Sequence, residues 1–108
     1  MTATGSRSSV PNLVEAGLRR TSAAMRHAGA RYDRGQITLD HHWQMLAALH
    51  TRRVRWWTVL ERHVLDDHTT PIVLYRAVLD ARDNADRDAR YWTQQAATAA
   101  ERETGIAG

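Results

Sequence analysis

The stretch Thr38–Leu65, TLDHHWQMLAALHTRRVRWWTVLERHVL, constrains the fold of this chain more than any other part of it. At 100° per residue, Leu39, Trp43, Leu46, His50, Arg53, Trp57, Leu60 and Val64 fall on one helical seam of alternating four- and three-residue steps. Met45, Leu49 and Trp56 widen that seam on one side and Val54 on the other. The clearly polar strip is narrow: Asp40, Gln44, Thr51, Arg55, Thr58 and Arg62. A single neighbouring helix cannot cover so broad an apolar face. The segment therefore predicts a central helix packed on at least two sides.

The flanking segments supply the partners. Asn12-Leu13-Val14-Glu15 has the capping-box form, which predicts a first helix from about residue 12. Val10, Leu13, Val14, Gly17, Thr21, Ala24, Met25, Ala28 and Tyr32 make its stripe, rich in small residues that permit close approach. Asp33-Arg34-Gly35 ends it near residue 33, because glycine supplies the left-handed conformation a helix C-terminus often needs. Thr38 caps the second helix, over about 38–65, with Asp40 in its first turn. Thr70-Pro71 opens the third, over about 71–103, since proline is preorganised for a first helical position. The apolar stripe of this helix is Leu74, Val78, Ala81, Ala85, Ala89, Trp92, Ala96 and Ala99. Its outer face sets opposite charges four residues apart at Arg76/Asp80, Arg82/Asp86, Asp83/Arg87 and Asp86/Arg90.

No strand pattern and no internal repeat interrupts this reading. It predicts an all-α protein, a three-helix antiparallel bundle with long second and third helices. One domain covers residues 10–104, with a disordered polar arm over 1–9 and a flexible tail over 105–108. The helix lengths are unequal: at 1.5 Å per residue the second and third reach about 40–50 Å against ~30 Å for the first. One short helix cannot cover two long ones, so the excess apolar surface predicts a homodimer or higher homo-oligomer.

Composition excludes several classes of function. The 108 residues hold no cysteine, hence no disulfide and no thiolate metal site. The opening MTATGSRSS has no apolar h-region behind it, and the longest apolar run, Met45 to Leu49, is far short of a membrane span. The expectation is a cytoplasmic protein with no membrane partner. All fifteen basic residues are arginine, which fits the coding bias of a GC-rich genome as readily as selection for guanidinium chemistry. Of the net charge of +3, residues 1–35 carry +4, residues 36–70 are balanced and residues 71–108 carry −1.

Candidate chemistry is sparse. His63 with Asp66 or Asp67 and His68 comes nearest to a metal-ligand set, but no Glu-x-x-His motif supports it, and dipole complementation explains His63. His50 and Arg53 are polar within the apolar seam and need partners, Arg53 with an acid such as Glu61 or one on another helix. No nucleophile elbow, phosphate-binding glycine loop or paired-carboxylate signature occurs, so no catalytic residue, metal or cofactor is expected. Arg19, Arg20 and Arg26 lie on the outer face of the first helix, with Arg7 on the arm and Arg31 and Arg34 at the helix end. That cationic face could follow a phosphate backbone. The leading expectation is nonetheless a non-enzymatic interaction or accessory module. It would associate with itself and dock another protein, through the seam from Leu39 to Val64 and its counterpart from Leu74 to Trp92. Nucleic-acid binding is the alternative.

Overall fold

The computed structural model describes residues 9–104, side chains through Arg102. Three helices account for most of them: α1 spans Val10–Asp33, α2 Leu39–Asp66 and α3 Ile72–Thr104, with no strand among the described residues. The arm expected over 1–9, Ser9 excepted, and the tail expected over 105–108 lie outside the described residues.

Local signals place each helix end. α1 starts two residues earlier than the capping-box reading has it. Ser9 is the cap: its Oγ accepts from the Asn12 N–H at 3.2 Å and its carbonyl from Leu13 N–H at 2.9 Å. Pro11 then fits in the first turn, where its missing N–H leaves no bond unmade. Glu15, freed from a capping role, pairs instead with Arg19 at 3.1 Å. At the other end, Gln36 N–H donates to the Arg31 carbonyl and Gly35 N–H to that of Tyr32, both at 2.9 Å, with Gly35 at φ +72°. This Schellman closure requires the left-handed conformation that glycine adopts without a Cβ clash. Thr38 caps α2 as expected, its Oγ1 accepting from His41 N–H at 3.0 Å. Before α3, Asp67 Oδ1 accepts from the Thr69 hydroxyl at 2.6 Å and the Thr69 N–H at 2.9 Å, tightening the turn. These bonds, the hydroxyl first, hold the Asp67 carboxyl below its ordinary value. The Pro71 carbonyl accepts the first bonds of α3, so Pro71 sits one place ahead of the helix rather than inside it.

α2 is the central element. It packs against α1 on one side and α3 on the other, and the backbones of α1 and α3 approach each other nowhere among the described residues. Along the α1 side, Gly17 meets Trp56, Met25 meets Arg53, and Tyr32 stacks on His42 at 5.2 Å. Along the α3 side, Asp40 pairs with Arg102, His50 stacks on Trp92 at 6.0 Å, and Glu61 lies 2.8 Å from Arg82. The result is elongated, with extents of 60 × 28 × 18 Å and a radius of gyration of 17.6 Å. A compact domain of this length has a radius of roughly 13 Å.

The two-sided packing of α2 follows its broad apolar face, but the core between the helices is thin. The buried apolar residues are Val14, Ala28, Ile37, Leu49, Ala85, Ala89 and Ala99, joined by Thr21 and His50. All four tryptophans remain partly exposed. The alanines let α3 lie close to α2, and Ala99, near the far end of α3, is fully covered. Arg102 fixes that distal end by pairing with Asp40 while its guanidinium lies 5.2 Å from the Trp43 ring centre. Of the four intrahelical pairs expected on α3, Asp86–Arg90 forms at 2.9 Å, whereas Arg82 turns toward Glu61 and Asp83 and Arg87 bonds Asn84.

Candidate functional site

Because α1 and α3 flank α2 without meeting, a groove stays open between them along one face of α2. Its floor is Arg53, Trp57, Leu60 and Val64, residues of the expected seam at steps of four, three and four. One wall comes from α1 through Leu18, Ser22 and Ala23, with Arg19, Arg26 and Glu15 along its edge. The other comes from α3 through Leu74, Ala77, Val78, Ala81 and Ala85, with Asn84 and Asp88 at its edge. Pro11, Thr70 and Pro71 surround the mouth. Leu74 is 54% exposed at the groove, and Val73 and Ile72, on other faces of the same first turn of α3, are 68% and 72% exposed. Branched apolar side chains left this open at a helix start mark surface that a partner can cover.

The expected seam residues divide among three environments. His50, Ala85 and Ala89 are buried between α2 and α3. Trp43, Leu46, Arg53, Trp57, Leu60, Val64, Val78, Ala81 and Trp92 are half-buried, several of them facing the groove. Leu39 and Leu74 stand exposed.

The two polar seam residues have different partners from those expected. Arg53 does not pair with Glu61, which is held by Arg82. Its Nη2 instead lies 3.6 Å from the Met25 sulfur, and Arg53 forms no ion pair among the described residues. The Arg82 Nε, though close to Glu61, is out of line for a hydrogen bond, so their attraction is a contact of charges. His50 stacks on Trp92, which also meets the Tyr91 ring edge-on at 5.0 Å, and the His50 Nδ1 is buried without a hydrogen-bond partner. Burial, then the Arg53 charge, hold the His50 pKa below its ordinary 6.5, against a smaller upward pull from Asp88.

This has a pH consequence with a definite sign. Above 6.5 His50 is neutral whether folded or unfolded, so it adds no slope. As pH falls through 6.5 the unfolded chain takes up the proton first, and stability drops until the lower folded pKa is passed. Urea unfolding at a series of pH values is expected to show this loss, and His50→Gln to reduce its slope. An identical slope in both proteins would refute it.

The cationic surface expected on α1 is partly occupied. Arg19 pairs with Glu15, and the Arg20 guanidinium lies over Trp56 at 6.0 Å. Arg26 edges the groove, Arg31 is half-buried, Arg34 is the C-cap of α1, and Arg7 lies outside the described residues. Among the described residues no group of three or more His, Cys, Asp or Glu is placed to hold a metal ion. No described helix is long and apolar enough to cross a membrane.

The contact that composition alone did not reveal is Gly17 against Trp56. A Cβ built on Gly17 would overlap the Trp56 ring atoms Cε2, Cζ2 and Cδ2. The ring is thus seated on bare backbone, with Arg20 over it. The small residues of the α1 stripe signalled close approach, but not which large side chain would use it.

Comparison with protein-family models, curated proteins and solved structures finds no match to this chain. The class its geometry defines is an all-helical protein with an open interhelical groove.

Proposed function

We propose that this chain is a non-enzymatic interaction module, an antiparallel three-helix unit that works as a homo-oligomer and docks other protein through the groove between α1 and α3. The observation that carries this is the apolar groove floored by Trp57, Leu60 and Val64 and walled by Leu74, Ala77 and Val78, with Leu74 more than half exposed. The antiparallel arrangement is supported by the pairings along α2, where partners on α1 and on α3 both descend in number as α2 ascends. A cytoplasmic setting is part of the same proposal.

The competing reading, nucleic-acid binding by α1, has less to support it. Arg19 and Arg20 already engage Glu15 and Trp56, and the groove edge nearest them faces Asp88 rather than further arginines.

Because the chain lacks cysteine, single thiols report cleanly on exposure. Ala77→Cys on the groove wall and Arg62→Cys on the opposite, polar side of α2 are both exposed positions. In cells making the protein, a maleimide is expected to label the Arg62→Cys thiol readily and the Ala77→Cys thiol slowly. Equal labelling of the two would overturn the reading.

A further inference from the structure

We infer that the groove's occupant is a second copy of this chain, seated groove to groove about a two-fold axis running along α2. This rests on the interaction-module reading above and adds the identity of the partner.

Charge and register carry the inference. The α1 edge of the groove carries Arg19 and Arg26 against one acid, Glu15, a basic excess, and the α3 edge carries Asp88. An occupant of uniform charge would be attracted at one edge and repelled at the other. A copy turned about the groove axis exchanges the two edges, so basic meets acidic on both sides.

The contacts also set the heights of these residues. Gly17 meets Trp56 and Arg20 lies over the same ring, so Arg19 stands about level with Trp56. His50 meets Trp92 and Glu61 meets Arg82, which puts Asp88 about level with Val54. The two lie within about one helical turn of each other, on opposite edges of the groove. Rotation about an axis along α2 shifts nothing lengthwise. It therefore brings Arg19 of each copy beside Asp88 of the other, two pairs for one docking event. Arg19 is held at present only by an exposed pairing with Glu15, which it can exchange.

The walls suit such packing. Ser22, Ala23, Ala77 and Ala81 are small enough for helices to approach closely, while Trp57 and Leu60 supply the apolar floor. The residues written ahead of Ser9, MTATGSRS, offer little apolar surface with which to fill the groove.

Sedimentation equilibrium of the purified full chain tests this. The expected result is a reversible dimer in the micromolar range. Leu74→Asp, at a position more than half exposed, is expected to give monomer with unchanged helicity by circular dichroism. Arg19→Asp and Asp88→Arg should each weaken association about tenfold or more, and the double variant, which swaps the charges, should recover most of the loss. Helicity serves as the folding control for each. Monomer at every concentration, or a dimer indifferent to both charge reversals, would overturn the inference. A monomer whose groove thiol is still shielded in cells removes the second copy and the homo-oligomer with it, and leaves standing the docking of another protein in the groove. A monomer with a reactive groove thiol removes both.

Discussion

Gly17→Ala is expected to destabilise the protein by about 2 kcal/mol, lowering Tm by roughly 10 °C for a domain of this size. Two effects oppose each other. Alanine in a helix interior is favoured over glycine by about 1 kcal/mol, so propensity alone predicts a gain. The added methyl, however, would occupy the space of the Trp56 ring, and the overlap involves rigid ring atoms rather than the end of a flexible chain. Either the ring leaves its seat or α1 moves away from α2. Overpacking of this kind costs about 1–3 kcal/mol or somewhat more, and it outweighs propensity. Gly29 provides the control: it lies on the same helix with nothing within 4 Å of an added Cβ. Gly29→Ala should therefore stabilise by about 0.5–1 kcal/mol. Urea unfolding of both variants measures the contrast, and a shift of both in the same direction would show that the Trp56 ring does not occupy the space beside Gly17.

Trp56→Ala should have the larger effect, a loss of about 3 kcal/mol. That is the lower end for a large aromatic, because Trp56 is only half-buried. The ring joins α1 to α2, resting on the Gly17 backbone under the Arg20 guanidinium, so its removal takes away both contacts. Coupling with Gly17 is the sharper signature. Once the ring is gone, a methyl added at position 17 meets no obstacle, and the helix propensity of alanine is recovered. The Gly17→Ala/Trp56→Ala double variant should thus be at least as stable as Trp56→Ala alone, a departure from additivity of about 2–3 kcal/mol. Simple summation of the two losses would show that Gly17 and Trp56 are not packed together.

Much of this architecture is legible in the sequence. The three helices, the Gly35 stop, the Thr38 cap and the Thr70-Pro71 start follow from local chemistry, since capping and turn formation involve residues only a few places apart. The breadth of the α2 apolar face announces two neighbours, and the structure supplies them. Where two local signals compete, the reading slips. Ser9 and Asn12 are both good caps, and Pro11 between them favours Ser9 by fitting its first turn. What periodicity does not convey is how far apart the two neighbours of α2 stand. That distance depends on which side chains interlock across the helices, and it decides whether α1 and α3 close over α2 or leave a groove. Arg53 shows the same limit. A guanidinium in an apolar seam suggests an acid, yet Glu61 is drawn to Arg82 on the other flank, and Arg53 is left beside the Met25 thioether. Arg20 likewise reads as part of a phosphate-binding face until Trp56 is found beneath it.

A second copy of this chain is proposed to cover the groove over Trp57. Spin labels on single cysteines test it most directly by double electron–electron resonance. A label at Ala77→Cys, on the groove wall, is expected to report one well-defined distance between copies, shorter than that from a label at Arg62→Cys on the far side of α2. Loss of that signal on adding Leu74→Asp would complete the agreement. A dipolar signal absent from the groove-wall label, or a shorter distance from the Arg62→Cys label, would contradict it.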